Sequence, residues 1–303
     1  CTITVTDNAT NESSAHAVQG KEKPTTAYPS GRTQDNFTIG ATKPALLEIT
    51  PVSPQTKDTT PDYTFFSTLS GTITYGGSSS CSSLNDNRSV TGEDNNTITF
   101  RKPSGGVLDE ATYTSDNCTL RVESNGSVLS DNLLVSSFVV DTTTPTLSIV
   151  TIASNNDNTT MAKIGDRITL LITSAEPIQT PSVKIDNQTA EVSEISSGTS
   201  WSAYDDMTSS NSEGLVSLSI DFSDLADNDG STVTSTTNSS AVQFDKTSPT
   251  VSQTTAVPTT TSDNTSSYTF YSTEAGAITY GGSCSSSDNY TTTEADNITT
   301  VTF

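Results

Sequence analysis

Three proline-bearing joints recur along this chain at nearly equal spacing: Ala41-Thr42-Lys43-Pro44, Asp141-Thr142-Thr143-Thr144-Pro145 and Asp245-Lys246-Thr247-Ser248-Pro249. The prolines stand 101 and 104 residues apart. Each joint follows a strand-like run (Asn36 to Ile39, Leu133 to Val140, Ala241 to Phe244) and precedes another (Leu46 to Ile49, Leu147 to Ile152, Val251 onward). Proline cannot donate to a ladder and stiffens the backbone, which suits a domain boundary. A repeat of about 100 residues whose units are all β predicts a run of small two-layer sandwiches.

Composition agrees with several thin cores and disfavours one large one. Of 303 residues, 31% are hydrophobic and 6% aromatic, and the length alone suggests two or three domains. Thr alternates repeatedly with Ile, Val, Phe or Tyr, the two-residue period of a half-buried strand. Low hydrophobicity with high charge is also a mark of disorder, but here the alternating segments return at regular intervals. The formal net charge is −22 with 13 Lys and Arg in total, which excludes a phosphate-binding surface and hence nucleic acid as a partner. The acids keep an exposed chain soluble and offer oxygen ligands of the kind Ca²⁺ takes. No apolar run approaches the ~20 residues of a membrane span, and no signal peptide is visible.

The units are of two kinds. Tyr75-Gly76-Gly77-Ser78 lies 31 residues after Pro44, and Tyr280-Gly281-Gly282-Ser283 lies 31 after Pro249. Around them, Asp62 to Thr68 matches Ser267 to Thr273, and Gly71 to Tyr75 matches Gly276 to Tyr280. The intervening unit has no cysteine and different landmarks, among them Trp201 and the run Asp224 to Gly230. Cys1-Thr2-Ile3-Thr4-Val5 corresponds to Cys118-Thr119-Leu120-Arg121-Val122, and Phe303 corresponds to Phe100. The expected organisation is therefore residues 1–44 as the second half of a cysteine-type domain, 45–145 as a complete one, 146–248 as a cysteine-free domain, and 249–303 as the first half of another cysteine-type domain. Cys1 to Pro44 spans 43 residues where Cys118 to Pro145 spans 27. The surplus is expected as an insertion at about 12–35, holding His16, and it reads either as a contact with a neighbour or as a solvated loop.

The four cysteines stand at matching landmarks: Cys81 and Cys284 after the Tyr-Gly-Gly turn, Cys1 and Cys118 at the head of a late strand. The pairing this implies is Cys81 with Cys118, closing a loop of about 37 residues and contributing roughly 3–4 kcal/mol in the chain-entropy model. Cys1 and Cys284 are each half of such a pair, with partners outside these residues or in another subunit. Disulfides persist in oxidising compartments, so the cysteines point to the cell exterior. One histidine and no Cys-x-x-Cys pair argue against a metal site built on cysteine.

Thr60-Pro61-Asp62-Tyr63-Thr64-Phe65, Gly71 to Ser78, Ala111 to Val122 and Asp141 to Leu147 resemble the bacterial immunoglobulin-like (BIg-type) tandem repeats of very long extracellular surface and adhesin-like proteins. Lys163 to Asp166, Ala175 to Ile178, Trp201, Met207 to Ser210 and Phe222 to Asn228 resemble a second variety of the same repeats. The resemblance implies an all-β fold of tandem immunoglobulin-like β-sandwich domains at the cell surface. Asp109 to Tyr113 resembles the tyrosine corner of such sandwiches, although Cys118 follows the tyrosine by five residues where the antibody pattern has two. Repeats of this group are often stiffened by Ca²⁺ at their joints, which makes Asp141, Asp157, Asp224, Asp227, Asp229 and Asp245 the candidate metal ligands. The same acids also suit plain turn chemistry, and the run from Asp224 lacks the glutamate that would complete an EF-hand.

No catalytic arrangement is visible. His16 is the sole histidine available as a base, and carboxylate pairs are always findable among 35 acids. The Gly-Gly pairs follow strands as turns, without a helix to form a phosphate loop. Trp201 sits in an alternating run and reads as a core aromatic before it reads as a sugar platform. The expected function is non-enzymatic: a structural stalk or filament whose repeats associate end to end or with themselves. The alternative is an adhesin module recognising a glycan or a protein on a host or cell surface, and a third is an accessory region of a secreted hydrolase.

Overall fold

The computed structural model describes residues 2–3, 16–17, 43–76, 80–85, 88–286 and 297–303, with only the backbone described at 2–3 and 16–17. The described elements are strands, joined by turns and extended segments. Strands β1 (Thr2–Ile3) and β2 (His16–Ala17) pair antiparallel.

The first complete sandwich contains β3 (Leu46–Thr50), β4 (Gln55–Thr56), β5 (Asp62–Ser67), β6 (Gly71–Tyr75), β7 (Ser89–Val90), β8 (Asp94–Thr99), β9 (Ala111–Tyr113), β10 (Thr119–Ser124), β11 (Leu133–Leu134) and β12 (Phe138–Val140). One layer is β3-β5-β8. The other comprises β11-β10-β6-β7 and β4-β12-β9; the chain runs from β9 into β10 and from β11 into β12, so these are two stretches of one layer whose ladder breaks at 114–118 and 135–137. Strand β5 alternates as its sequence requires, with Tyr63, Phe65 and Ser67 inward and Asp62, Thr64 and Phe66 outward. Between the layers Tyr63, Phe65, Ile73, Phe100, Leu120, Val122, Phe138 and Val140 are at most 1% exposed. Tyr63, Phe100, Phe138 and Tyr113 form an aromatic run across this core, with centroid separations of 5.0, 6.1 and 5.0 Å. The Tyr113 hydroxyl accepts from the Asp109 amide and donates to the Asp109 carbonyl, both at 3.1 Å. That closes the tyrosine corner and satisfies backbone groups at the rim of the core. Cys81 and Cys118 are bonded, with Cα atoms 5.3 Å apart, tying the segment after β6 to the head of β10.

The second sandwich contains β13 (Leu147–Ser154), β14 (Met161–Ala162), β15 (Arg167–Ser174), β16 (Ser182–Ile185), β17 (Gln188–Thr189), β18 (Glu191–Ser196), β19 (Ser200–Asp206), β20 (Gly214–Leu215), β21 (Leu218–Asp221) and β22 (Gln243–Phe244). Its layers are β13-β15-β19-β18 and the pair of ladders β14-β22-β20 and β17-β16-β21. This is the connectivity of the first sandwich plus the edge strand β18, and in both the short strand after the first long one joins the last strand in parallel. A separate core holds Val150, Ile168, Leu170, Ile172, Ile185, Ile220 and Phe244. Trp201 belongs to it, 5% exposed, with Nε1 donating to the Gly198 carbonyl at 3.2 Å. Its ring therefore fills the sandwich and presents no platform for a sugar.

A third set, β23 (Val251–Thr255), β24 (Ser267–Ser272) and β25 (Asn297–Thr302), forms the sheet β23-β24-β25. Its register repeats the first layer of the first sandwich: Tyr268 pairs with Val301 as Tyr63 pairs with Ile98. The all-β, immunoglobulin-like expectation is met by this architecture.

The pairing of β1 with β2 moves one boundary. His16 and Ala17 lie inside the stretch expected as an insertion at 12–35, yet they form a strand whose partners are Thr2 and Ile3. Thr119 pairs with Leu134 and Leu120 with Leu133 in the complete sandwich. The sequence separations, 15 and 13 residues, are the same in both ladders. The surplus therefore falls after Ala17. Length arithmetic alone could not show this, because it counts residues without fixing a register.

Candidate functional site

The linkers between units are where the sequence concentrates its acids, and there the structure builds the same clamp twice. After β12, the Asp141 carboxylate accepts from the Thr143 amide at 3.0 Å, and the Glu110 carboxylate takes both the Thr142 and Thr143 hydroxyls at 2.8 Å. After β22, the Asp245 carboxylate accepts from the Thr247 amide at 3.0 Å and Glu213 takes the Thr247 hydroxyl at 3.0 Å. Glu110 and Glu213 each stand one residue before the strand that neighbours the last one, so equivalent positions reach equivalent linkers. The threonine hydroxyls hold the Glu110 carboxyl below its ordinary range. Lys246 adds two bonds from its ammonium, to the carbonyls of Asn211 and Ser209 at 2.8 and 3.2 Å.

At the first joint the following unit reaches back. The Asn228 side-chain amide donates to the Asp141 carbonyl at 2.8 Å, and the Lys57 ammonium donates to the Asp227 carbonyl. Asn228 is aimed by Asp224, whose carboxylate accepts from the amides of Ala226 and Asn228 and from the Asn228 side chain, each at 2.8 Å. A buried carboxylate with three such donors is a loop organiser in its own right.

Asp141, Glu176 and Asp224 each place a carboxylate oxygen within 4.8 Å of the others, the one such cluster among the described residues. Of the six candidate ligands, then, Asp141 and Asp224 meet. Asp227 and Asp229 are exposed on the turn beside them, Asp157 is exposed elsewhere, and Asp245 lies at the second joint. Glu176 joins the cluster although the sequence reading did not single it out. Burial, followed by the negative charges of Asp141, Asp224 and Glu110, pushes its carboxyl above the usual carboxylate range. An all-oxygen set of three convergent acids with unrelieved mutual repulsion fits a hard cation, and these three residues would hold Ca²⁺ at the joint the resemblance indicates. Glu274 occupies the matching place at the second joint. It follows Ser272, whose hydroxyl donates to its carbonyl at 2.7 Å, as Ser174 donates to Glu176. Asp245 and Glu274 line a cleft of about 450 Å³ there with Asn156, Lys163 and Thr247.

Cys284 is exposed and unpaired among the described residues, and Cys1 lies outside them. His16 is placed only as backbone in β2. Among the described residues no helix is long and apolar enough to cross a membrane.

Fold and joints together define an all-β protein of immunoglobulin-like sandwiches joined by clamped linkers. No protein-family model and no curated protein matches the chain. Among solved structures it is similar to the D00-D0 domain of Intimin, at 14% identity and a TM-score of 0.28, covering 67% of this chain and all of that one. A likeness so slight bears on neither the fold nor the function.

Proposed function

We propose that the chain is a non-enzymatic extracellular structural protein, its immunoglobulin-like units forming a stalk or filament at a cell surface. The observation that carries this reading is the duplicated clamp: Glu110 with Asp141 and Glu213 with Asp245 hold successive linkers by the same bonds. A linker free to swivel needs no such bonds, since exposed threonines are satisfied by water. The acids of the first joint extend the same logic, with Ca²⁺ bridging Asp141, Glu176 and Asp224 and so tying one unit to the next.

Small-angle X-ray scattering of the whole chain tests the reading. The wild type is expected to scatter as a rod with a defined maximum dimension. Glu110→Ala combined with Asn228→Ala is expected to broaden that into a hinged ensemble. A wild-type chain that already scatters as freely jointed beads would sink the stalk.

A further inference from the structure

Sheet β23-β24-β25 has the inward pattern of a sandwich layer but lacks the cover its counterpart has. Tyr63 and Phe100 are fully buried in the first sandwich, beneath Phe138, Tyr113 and Leu120. Their equivalents Tyr268 and Phe303 are only half buried. They line an apolar cleft of about 360 Å³ with Phe270, Ile278, Tyr280 and Val301. The segment 276–280 matches β6 residue for residue in type, yet it is no strand. In the first sandwich β6 is held by β10, through Leu120 with Tyr75, Arg121 with Thr74 and Val122 with Ile73. Take away β10 and the neighbouring segment has no central ladder to join.

The chain carries that missing piece elsewhere. Strands β1 and β2 reproduce the β10–β11 ladder in register, and Cys1-Thr2-Ile3-Thr4-Val5 matches Cys118 to Val122. Cys284 is exposed at the place Cys81 occupies when bonded to Cys118.

We infer that the β1–β2 ladder of a second copy of this chain docks on the 249–303 sheet as β10–β11 does in the complete sandwich. Ile3, Thr4 and Val5 lie opposite Tyr280, Thr279 and Ile278, and Cys1 is bonded to Cys284. The interface is β-augmentation with an apolar face beneath it. Because donor and acceptor surfaces differ, the contact is heterologous and propagates as an open filament. Bond formation needs an oxidant, and a low-molecular-weight disulfide such as oxidised glutathione supplies it. The Cys284 thiolate attacks that disulfide and expels one glutathione thiolate. The Cys1 thiolate then attacks the Cys284 sulfur of the mixed disulfide and expels the second, so two protein thiols are oxidised and one glutathione disulfide is reduced. This deepens the filament reading by naming the partner and the contact.

The experiment is light scattering with size exclusion and non-reducing electrophoresis of the 303-residue chain in a glutathione redox buffer, followed by peptide mapping. The expected result is a ladder of multiples that collapses on reduction, with Cys1–Cys284 peptides joining different copies. Cys284→Ser should abolish the ladder and leave a concentration-dependent mass. Ile3→Asp leaves the acceptor sheet untouched and should abolish both. A monomer under oxidising and reducing conditions at every concentration overturns the inference, as does a Cys1–Cys284 bond closed within one copy or a ladder linked only through Cys284 pairs. A monomer that still scatters as a stiff rod would remove this contact while leaving the stalk reading intact.

Discussion

Glu176 carries the charge conflict of the first joint. Its carboxyl is raised above 4.5 by burial and then by Asp141, Asp224 and Glu110, so the folded state holds its proton more tightly than the unfolded chain does. The sign follows from linkage. Stability from this group is fully present below the unfolded value and is lost as pH rises through the raised folded one. In a chelator, thermal stability of the first joint should therefore fall on going from about pH 4 to neutrality. Glu176→Gln should flatten that fall. Adding Ca²⁺ at neutral pH should raise the melting temperature of the wild type more than that of Glu176→Gln, and equal gains in a calorimeter would dismiss the cation. Asp141 and Asp224 were legible in the sequence because Asp marks turns and joints. Glu176 was not, being 35 and 48 residues away from them in the chain with no local motif around it. Its one available signal was the recurrence of Ser-x-Glu at 174–176 and 272–274, two residues past equivalent strands.

At the scale of the element, two glycines at equivalent positions separate a packed strand from an open one. Gly71 begins β6 so close to β10 that an added Cβ would stand 2.2 Å from the Glu123 carbonyl oxygen and 2.9 Å from the Val122 side chain. Backbone cannot yield as a flexible side chain does, so Gly71→Ala should destabilise the first sandwich by about 1–3 kcal/mol or more. Gly276, its match in sequence, meets nothing within 4 Å, and Gly276→Ala should leave the melting of the isolated chain unchanged. If a second copy fills the cleft, Gly276→Ala should instead weaken assembly, since the docked strand would then meet the same methyl. Chemical denaturation of both variants, with assembly followed in parallel, separates these outcomes. Strand identity was legible here, because alternation and the Gly-x-Ile-Thr-Tyr string recur intact. The place of the surplus residues was not, since composition and length are blind to the register that β1 and β2 adopt.

Across the whole molecule the two complete sandwiches bury separate cores, one around Tyr63, Phe100 and Phe138 and the other around Trp201, Ile172 and Phe244. They meet through bonds to exposed or half-buried polar groups at the linker, such as Asn228 to the Asp141 carbonyl, which contribute far less than a core does. Each should unfold as its own cooperative unit, so a single melting temperature would misdescribe the chain. The disulfide provides the handle, because it closes a loop of 37 residues wholly within 45–145. Replacing Cys81 and Cys118 together by alanine should cost that sandwich roughly 3–4 kcal/mol through the released loop entropy. For a domain of this size the loss corresponds to a fall of about 4–8 °C per kcal/mol. The transition of the tryptophan-bearing sandwich, followed by Trp201 fluorescence, should stay where it was. Trp201 is the sole tryptophan, so fluorescence reports that sandwich alone while calorimetry reports both. If the fluorescence transition drops along with the calorimetric one, the sandwiches are thermodynamically coupled through the clamped joint, and the joint then carries enough energy to transmit unfolding along the stalk.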